Sequence, residues 1–351
     1  DHVRSIGRGQ SSYFDMYMRM EVANGVKPVR QINQHISTWP GGTTPYLYGV
    51  AFNNFIEARY SEDHIKKLVD NYSDNWFPYR INSNSRQVLG STLPNLWPRF
   101  EEYLTERHGK RLDTIRRAGV VAGQQVTRHG YYGGVARALP DGDIVYVRMD
   151  GASEPSLSRQ TADGRIRWCR EVKSGVHLNV HPRAGVLLAQ GDLHRNANFF
   201  HDLYRVDLET GRTRRLTRAA RYRYAAWNPD ATRILAVHNE GGKHALHLLD
   251  KKAKRLEVLW AGEDEVVFAD PQWSPQGDFI VLAAWRPRSG WNLERFLLAE
   301  RRFEALTNDI AIEVQPQFTP DGKAILFSSD HGGVYNIRRL DLASNKITTL
   351  S

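Results

Sequence analysis

The residues of this 351-residue chain most apt for metal or nucleophilic chemistry are thirteen histidines and a single cysteine. Their spacing suits neither task. His177 and His181 stand four apart in a stretch that reads as a strand, where four residues span about 13 Å, too far for one metal. His244 and His247, three apart on another such stretch, point to opposite faces. Cys169 stands alone, which excludes an internal disulfide framework and a cysteine-built zinc site. The sequence contains no His-Glu-x-x-His, no Gly-x-Ser-x-Gly elbow, and no Walker or dinucleotide-binding glycine motif. No complete catalytic site is legible in this chain, and no cofactor is expected on it.

A second chemical feature is cationic: Arg212, Arg214, Arg215, Arg218, Arg221 and Arg223 crowd one stretch. Alternating arginines read either as a solvated strand face or as a patch for an anion or an acidic partner. The formal charge of +9 raises the question of nucleic acid, but the excess is spread evenly. Residues 1–126 hold 16 Lys/Arg against 12 Asp/Glu, and the rest hold 32 against 27. Nucleic-acid binders concentrate their charge, so that partner is not expected. Hydrophobic residues at 41% and charged residues at 25% describe a folded globular chain. No apolar run approaches the ~20 residues that span a bilayer, so the chain is not membrane-spanning, and no oligomeric state is implied.

The elements that must position such residues come in two kinds. Up to about residue 112 the pattern is helical. Tyr46, Val50, Phe52, Phe55 and Ile56 form one stripe, and Ser61 is placed to cap a helix with Glu62 and Asp63 in its first turn. A last helix spans about Trp97 to Glu106 and ends near Gly109. From residue 113 the chain reads as short strands with an internal repeat. Trp227-Asn228-Pro229-Asp230, Trp273-Ser274-Pro275-Gln276-Gly277 and Phe318-Thr319-Pro320-Asp321-Gly322 recur, with weaker copies at Pro140 and Pro182. The five prolines step by 42, 47, 46 and 45 residues.

Each proline turn leads into an apolar strand, and units close on Leu216-Thr217, Leu306-Thr307 and Leu350-Ser351. Four strands in about 45 residues make a propeller blade whose faces its neighbours bury. The fold expected is a small all-α lobe followed by an all-β propeller with five repeats visible. The blades fall near 128–172, 173–217, 218–262, 263–307 and 308–351. Residues 114–127 read as an outer strand able to close the ring with the last blade. The position three residues before each repeat's aromatic gives Val135, His177, Tyr224, Asp270 and Gln315. These should gather at one mouth of the central channel, as a binding site or as a hydrated funnel.

The phrase aromatic-Ser/Thr-Pro-Asp/Gln-Gly with a closing Leu-Thr resembles the TolB-like propellers of bacterial cell envelopes, over roughly residues 115–351. That resemblance implies a scaffold for protein or peptide partners, in the periplasm or exported. Trp39-Pro40-Gly41-Gly42-Thr43-Thr44-Pro45-Tyr46-Leu47-Tyr48-Gly49, with Arg59-Tyr60-Ser61-Glu62, resembles the C-terminal helical part of gluzincin-like zinc peptidases. Aminopeptidases of that clan carry Tyr-x-x-Gly, so the resemblance gives Tyr46 the role of stabilising an oxyanion; packing is the competing role. The metal-binding His-Glu-x-x-His is absent. Two expectations follow. One is a cell-envelope propeller scaffold with a helical remnant of a peptidase-like domain. The alternative is a fragment of an exported zinc metallopeptidase whose metal site, and zinc, belong to residues upstream of Asp1.

Overall fold

A computed structural model describes residues 7–34, 36, 39–119, 123–130, 132–173 and 175–350. The chain divides into two compact units, Asp1–Ala122 and Gly123–Ser351. The first contains five α-helices among the described residues: α1 (Ser12–Asn24), α2 (Thr44–Arg59), α3 (Glu62–Ser73), α4 (Ile81–Leu89) and α5 (Leu93–Ala118). Its core is aromatic. From α2, Leu47, Tyr48, Ala51, Phe55 and Ile56 are buried, and from α5 Leu96, Trp97, Phe100, Tyr103 and Leu104. Both sets follow the helical period. Burial of each large side chain stabilises the unit by about 1.5–3 kcal/mol.

Three sequence expectations change here. The α2 stripe turns inward at Leu47 and Tyr48, leaving Tyr46 outside at 55% exposure. Ser61 precedes α3 without capping its backbone, because its hydroxyl is engaged by the His64 ring at 2.8 Å. The last helix begins earlier and runs on through Gly109 to Ala118. One internal glycine costs only about 1 kcal/mol, and the Lys, Arg and Leu residues after it continue the helix. Gly119, at φ 89°, ends it. Residues 114–118 are therefore helix, and residues 123–128 carry no strand; residues 120–122 lie outside the described residues.

The second unit is a β-propeller of five four-stranded antiparallel blades. Blade 1 comprises β1 (Tyr132–Ala138), β2 (Ile144–Met149), β3 (Ser156–Gln160) and β4 (Ile166–Glu171). Blade 2 comprises β5 (His177–His181), β6 (Gly185–Leu193), β7 (Phe199–Val206) and β8 (Thr213–Arg215). Blade 3 comprises β9 (Tyr222–Trp227), β10 (Arg233–Glu240), β11 (Lys243–Asp250) and β12 (Arg255–Trp260). Blade 4 comprises β13 (Val267–Trp273), β14 (Phe279–Arg286), β15 (Gly290–Leu297) and β16 (Arg302–Ala305). Blade 5 comprises β17 (Glu313–Phe318), β18 (Ala324–Ser329), β19 (Asn336–Asp341) and β20 (Ile347–Thr349). Blade 5 thus supplies all four of its own strands.

The repeat motif is explained by its hydrogen bonds. In blade 4, Ser274 Oγ accepts the N–H groups of Asp278 and Phe279 at 3.1 and 3.2 Å, while Gly277 N–H closes the proline turn onto Ser274 O at 2.9 Å. Thr319 Oγ1 does the same for Ala324 N–H, and Asn228 Oδ1 for Thr232 and Arg233. In blades 3, 4 and 5 the residue before proline thus supplies a short side-chain acceptor, whereas blade 1 has Leu139 there and blade 2 uses the His181 ring. The closing Leu-Thr is equally local. Thr217 and Thr307 hydroxyls each accept a third-strand N–H, from Leu203 and Leu293, at 2.9 Å.

Packing between blades follows from strand alternation. Leu235 and Val237 of β10 pack with Phe268, Ile280 and Leu282 of blade 4. Ile234 and Ala236, on the other face, pack with Leu187, Ala189 and Leu203 of blade 2. A strand buried on both faces reads as an unbroken apolar run, and that is how the second strand of each repeat reads.

Candidate functional site

The inner strands β1, β5, β9, β13 and β17 lie side by side in that order, and the five expected positions fall in the first half or at the midpoint of each. The structure brings four of them together. The His177 and Tyr224 rings lie with centroids 4.1 Å apart. Tyr224 feels the Asp270 carboxylate, which accepts the backbone N–H of Gln315. Val135 departs from the set. It packs against the core between blades 1 and 2, and Arg137, two residues on, is the blade 1 side chain that meets Asp270 electrostatically.

A shared backbone device accompanies three of these five positions. The registers of β1, β13 and β17 slip between Gly134 and Arg137, Ala269 and Gln272, and Val314 and Gln317. At each slip Val135, Asp270 and Gln315 take left-handed φ values of 52°, 50° and 59°. The next residues are Ala136, Pro271 and Pro316, and a bulge is where a strand tolerates a proline that cannot donate. Left-handed backbone at non-glycine residues costs about 1–3 kcal/mol each. Bulges re-aim side chains, and here the strain accompanies a concentration of polar groups.

Burial pushes the His177 imidazole down to about 4, reinforced by Arg223, His201 and Arg137, so it is neutral at neutral pH. Burial pushes the Tyr224 hydroxyl up to about 12, with Asp270 adding to it. Burial also raises the Asp270 carboxyl, and Arg137, the Gln315 N–H and Arg223 only partly offset that. Asp270 nonetheless keeps partial solvent contact. One step deeper, Asn179 Nδ2 donates to Gln272 Oε1 at 3.3 Å, and Asn179 Oδ1 accepts Trp227 N–H at 3.0 Å. Blades 2 and 4 thus touch across the ring, past blade 3.

The six arginines do not form one surface. Arg215 bridges Asp192 and Asp202 at 2.8 and 2.7 Å inside blade 2. Arg212 and Arg214 line an open cleft with Arg205 and Asp207, and Arg218 is exposed. Arg221 pairs with Glu240 at 2.7 Å and lies over Phe200. Arg223 alone joins the mouth, 5.8 Å from the Tyr224 ring centroid. Arg221 and Arg223 also line a cleft of about 330 Å³ with Phe199, His201 and Asn239. Sequence reasoning missed Arg137, Asn179 and Gln272 as members of the cluster. All three stand at the equivalent position two residues further along each repeat, a signal that was available.

Among the described residues, Asp192, His194 and Asp202 are the trio whose ligand atoms gather within 4.8 Å of one another. Their donors are already committed. Asp192 is paired with Lys173 and Arg215 and accepts the Tyr204 hydroxyl, while Asp202 accepts from Arg215, Thr217, Ala219 and Ala220. Two cations stand where a metal's charge would go, so the trio does not fit a zinc site. In the helical unit Tyr46 stands at an open cleft with Ser11, Gly49 and Asn53, under the Arg8 guanidinium 4.7 Å from its ring centroid. Tyr48 is the packing tyrosine: its hydroxyl donates to Glu21 at 2.5 Å and accepts Lys27 N–H at 2.8 Å.

These features define a five-bladed β-propeller with a polar cluster on its inner strands, preceded in the chain by a small helical unit. No known sequence family matches the chain. Among solved structures it is similar to a protein assigned as TolB from Agrobacterium tumefaciens, at 18% identity and a TM-score of 0.48 over 62% of this chain and 79% of that one. It is also similar to TolB from Acinetobacter baumannii, at 21% identity and 0.41 over 62% of this chain and 56% of that one. A puromycin hydrolase aligns at 20% identity and 0.43, over 64% of this chain and 40% of its own length.

Proposed function

We propose that the propeller is a binding module of the bacterial cell envelope, periplasmic or exported, that takes a protein or peptide partner at the mouth formed by His177, Tyr224, Asp270 and Gln315. The observation that carries this reading is the repeated left-handed bulge. Three blades accept backbone strain at the place where half-buried polar groups gather, and strain of this kind clusters at functional sites. The Asn179–Gln272 contact supplies a floor beneath the mouth. Random peptides selected by display on the whole chain test the reading. Tyr224→Ala and Arg223→Ala should each weaken the selected peptides at least tenfold, and Tyr46→Phe should leave them unchanged. Binders indifferent to both mouth substitutions overturn it.

The exposure of Tyr46 favours a second reading, in which the helical unit belongs to an exported zinc metallopeptidase and the metal ligands come from residues outside this chain. Tyr46 would then present its hydroxyl to an oxyanion. Zinc analysis and peptidase assay of the intact gene product, with Tyr46→Phe as the variant, test it; a zinc-free, inactive product contradicts it.

A further inference from the structure

We infer that the propeller mouth takes a carboxylate, held between Arg137 and Arg223; the inference rests on the reading of this mouth as a ligand site. Both guanidiniums lack a carboxylate oxygen within 4 Å among the described residues, unlike Arg215 and Arg221 of the same region. Arg137 Nη1 donates to Ala136 O at 2.9 Å, but its Nε, shielded from solvent, has no hydrogen-bond partner. A buried donor left unmade costs about 1–3 kcal/mol, and a ligand oxygen would recover it. Arg223 is exposed, lies over the Tyr224 ring and is hydrogen-bonded to the Tyr224 hydroxyl, so its remaining N–H donors face the solvent side, from which a ligand would approach.

Charge selects the ligand. The cluster holds two cations, Arg137 and Arg223, against one acid, Asp270, while His177 and Tyr224 are neutral near pH 7. Cations outnumber the acid, so the cluster favours an anion, and with Asp270 ionised the surplus is a single charge, which a carboxylate matches. The geometry of guanidinium and carboxylate also suits paired hydrogen bonds. The cleft of about 330 Å³ beside Arg223, with Phe199 and Asn239 on its walls, gives room for the group that bears the carboxylate. A peptide supplies that group at its C-terminus or on an Asp or Glu side chain.

The experiment titrates sodium acetate and inorganic phosphate into the whole chain while following the His177 ring and arginine Nε–H signals by NMR. It then compares display-selected peptides as free acids, as C-terminal amides, and with Asp/Glu changed to Asn/Gln. Acetate should shift these signals saturably and more tightly than phosphate, with at least a tenfold loss in Arg223→Gln and Arg137→Gln. Because Arg223 is exposed, its variant tests the site without disturbing the fold. Loss on amidation assigns the C-terminus, and loss on Asp/Glu replacement assigns a side chain. Absence of a saturable acetate shift, an acetate affinity unchanged in both variants, or a preference for phosphate overturns the inference. Peptides that bind at the mouth without dependence on any carboxylate also overturn it while leaving the binding-module reading intact. Acetate binding without any peptide binding does the reverse.

Discussion

Asn179 and Gln272 join blades that are not neighbours: an amide of β5 donates to an amide of β13 at 3.3 Å, reaching past β9, whose Trp227 N–H it also binds. One side chain thereby ties three of the five inner strands together beneath the mouth. Replacing Asn179 by Leu removes both bonds and leaves the Trp227 N–H without its acceptor. The expected cost is about 1–3 kcal/mol, read as a lower midpoint in urea unfolding with an unchanged slope. An unchanged midpoint would show that water substitutes for the amide.

Asp202 is fully buried in blade 2 and holds the linker toward blade 3. Burial alone would raise its carboxyl, but the N–H groups of Ala220 and Ala219, the Thr217 hydroxyl and Arg215 outweigh that and hold it below the usual carboxylate range. A depressed folded value means stability that is present above the ordinary Asp value near 3.9 and lost as pH falls through the folded one. Asp202→Ala also leaves Arg215 short of a partner, so it should cost about 3 kcal/mol or more at pH 7. In acid the difference between variant and parent should shrink.

His108 in the helical unit and His247 in blade 3 are both buried, and burial lowers each to about 4. The unfolded chain binds protons near 6.5 while the folded chain does not, so stability should fall as pH drops from about 6.5 toward 4. His247→Phe should flatten that part of the profile for the propeller, followed by thermal unfolding at stepped pH. A profile unchanged in the variant would locate the acid sensitivity elsewhere.

The proline turns place glycine at left-handed φ in blades 1, 4 and 5, at Gly142, Gly277 and Gly322, whereas blade 3 has Ala231 at φ 62°. Left-handed backbone disfavours any side chain by about 1–2 kcal/mol, and glycine gives back part of that through its larger entropy loss. Ala231→Gly should therefore stabilise the propeller by about 0.5–1 kcal/mol, seen as a higher melting temperature. A lower one would mean that the Ala231 methyl contributes more through its packing than the strain costs.

Much of the propeller was legible because its signals are local. The Asn, Ser and Thr before the prolines of blades 3, 4 and 5, and the Thr after the closing leucines of blades 2 and 4, act on N–H groups within their own blade, so the motif and its cause sit in the same repeat. The mouth was legible only as far as the repeat was regular. His177, Tyr224, Asp270 and Gln315 came together, but Val135 is apolar and packs on the core between blades 1 and 2, and Arg137, two residues on, meets Asp270 instead. The arginine run misled for a related reason: neighbours in sequence on strands and turns diverge to opposite faces, and the buried acids that claim Arg215 lie in β6 and β7. The end of α5 was missed because Gly109 reads as a stop and its modest cost was outweighed by the helix formers after it.

The central claim is that the propeller binds its ligand at the inner-strand mouth, and amide chemical-shift mapping of one selected peptide on the labelled whole chain tests it most directly. The account predicts shifts concentrated at His177, Tyr224, Asp270 and Gln315 and at the neighbouring Arg137 and Arg223. Shifts concentrated instead around Tyr46, or along the outer strand at Arg212 and Arg214, would contradict it.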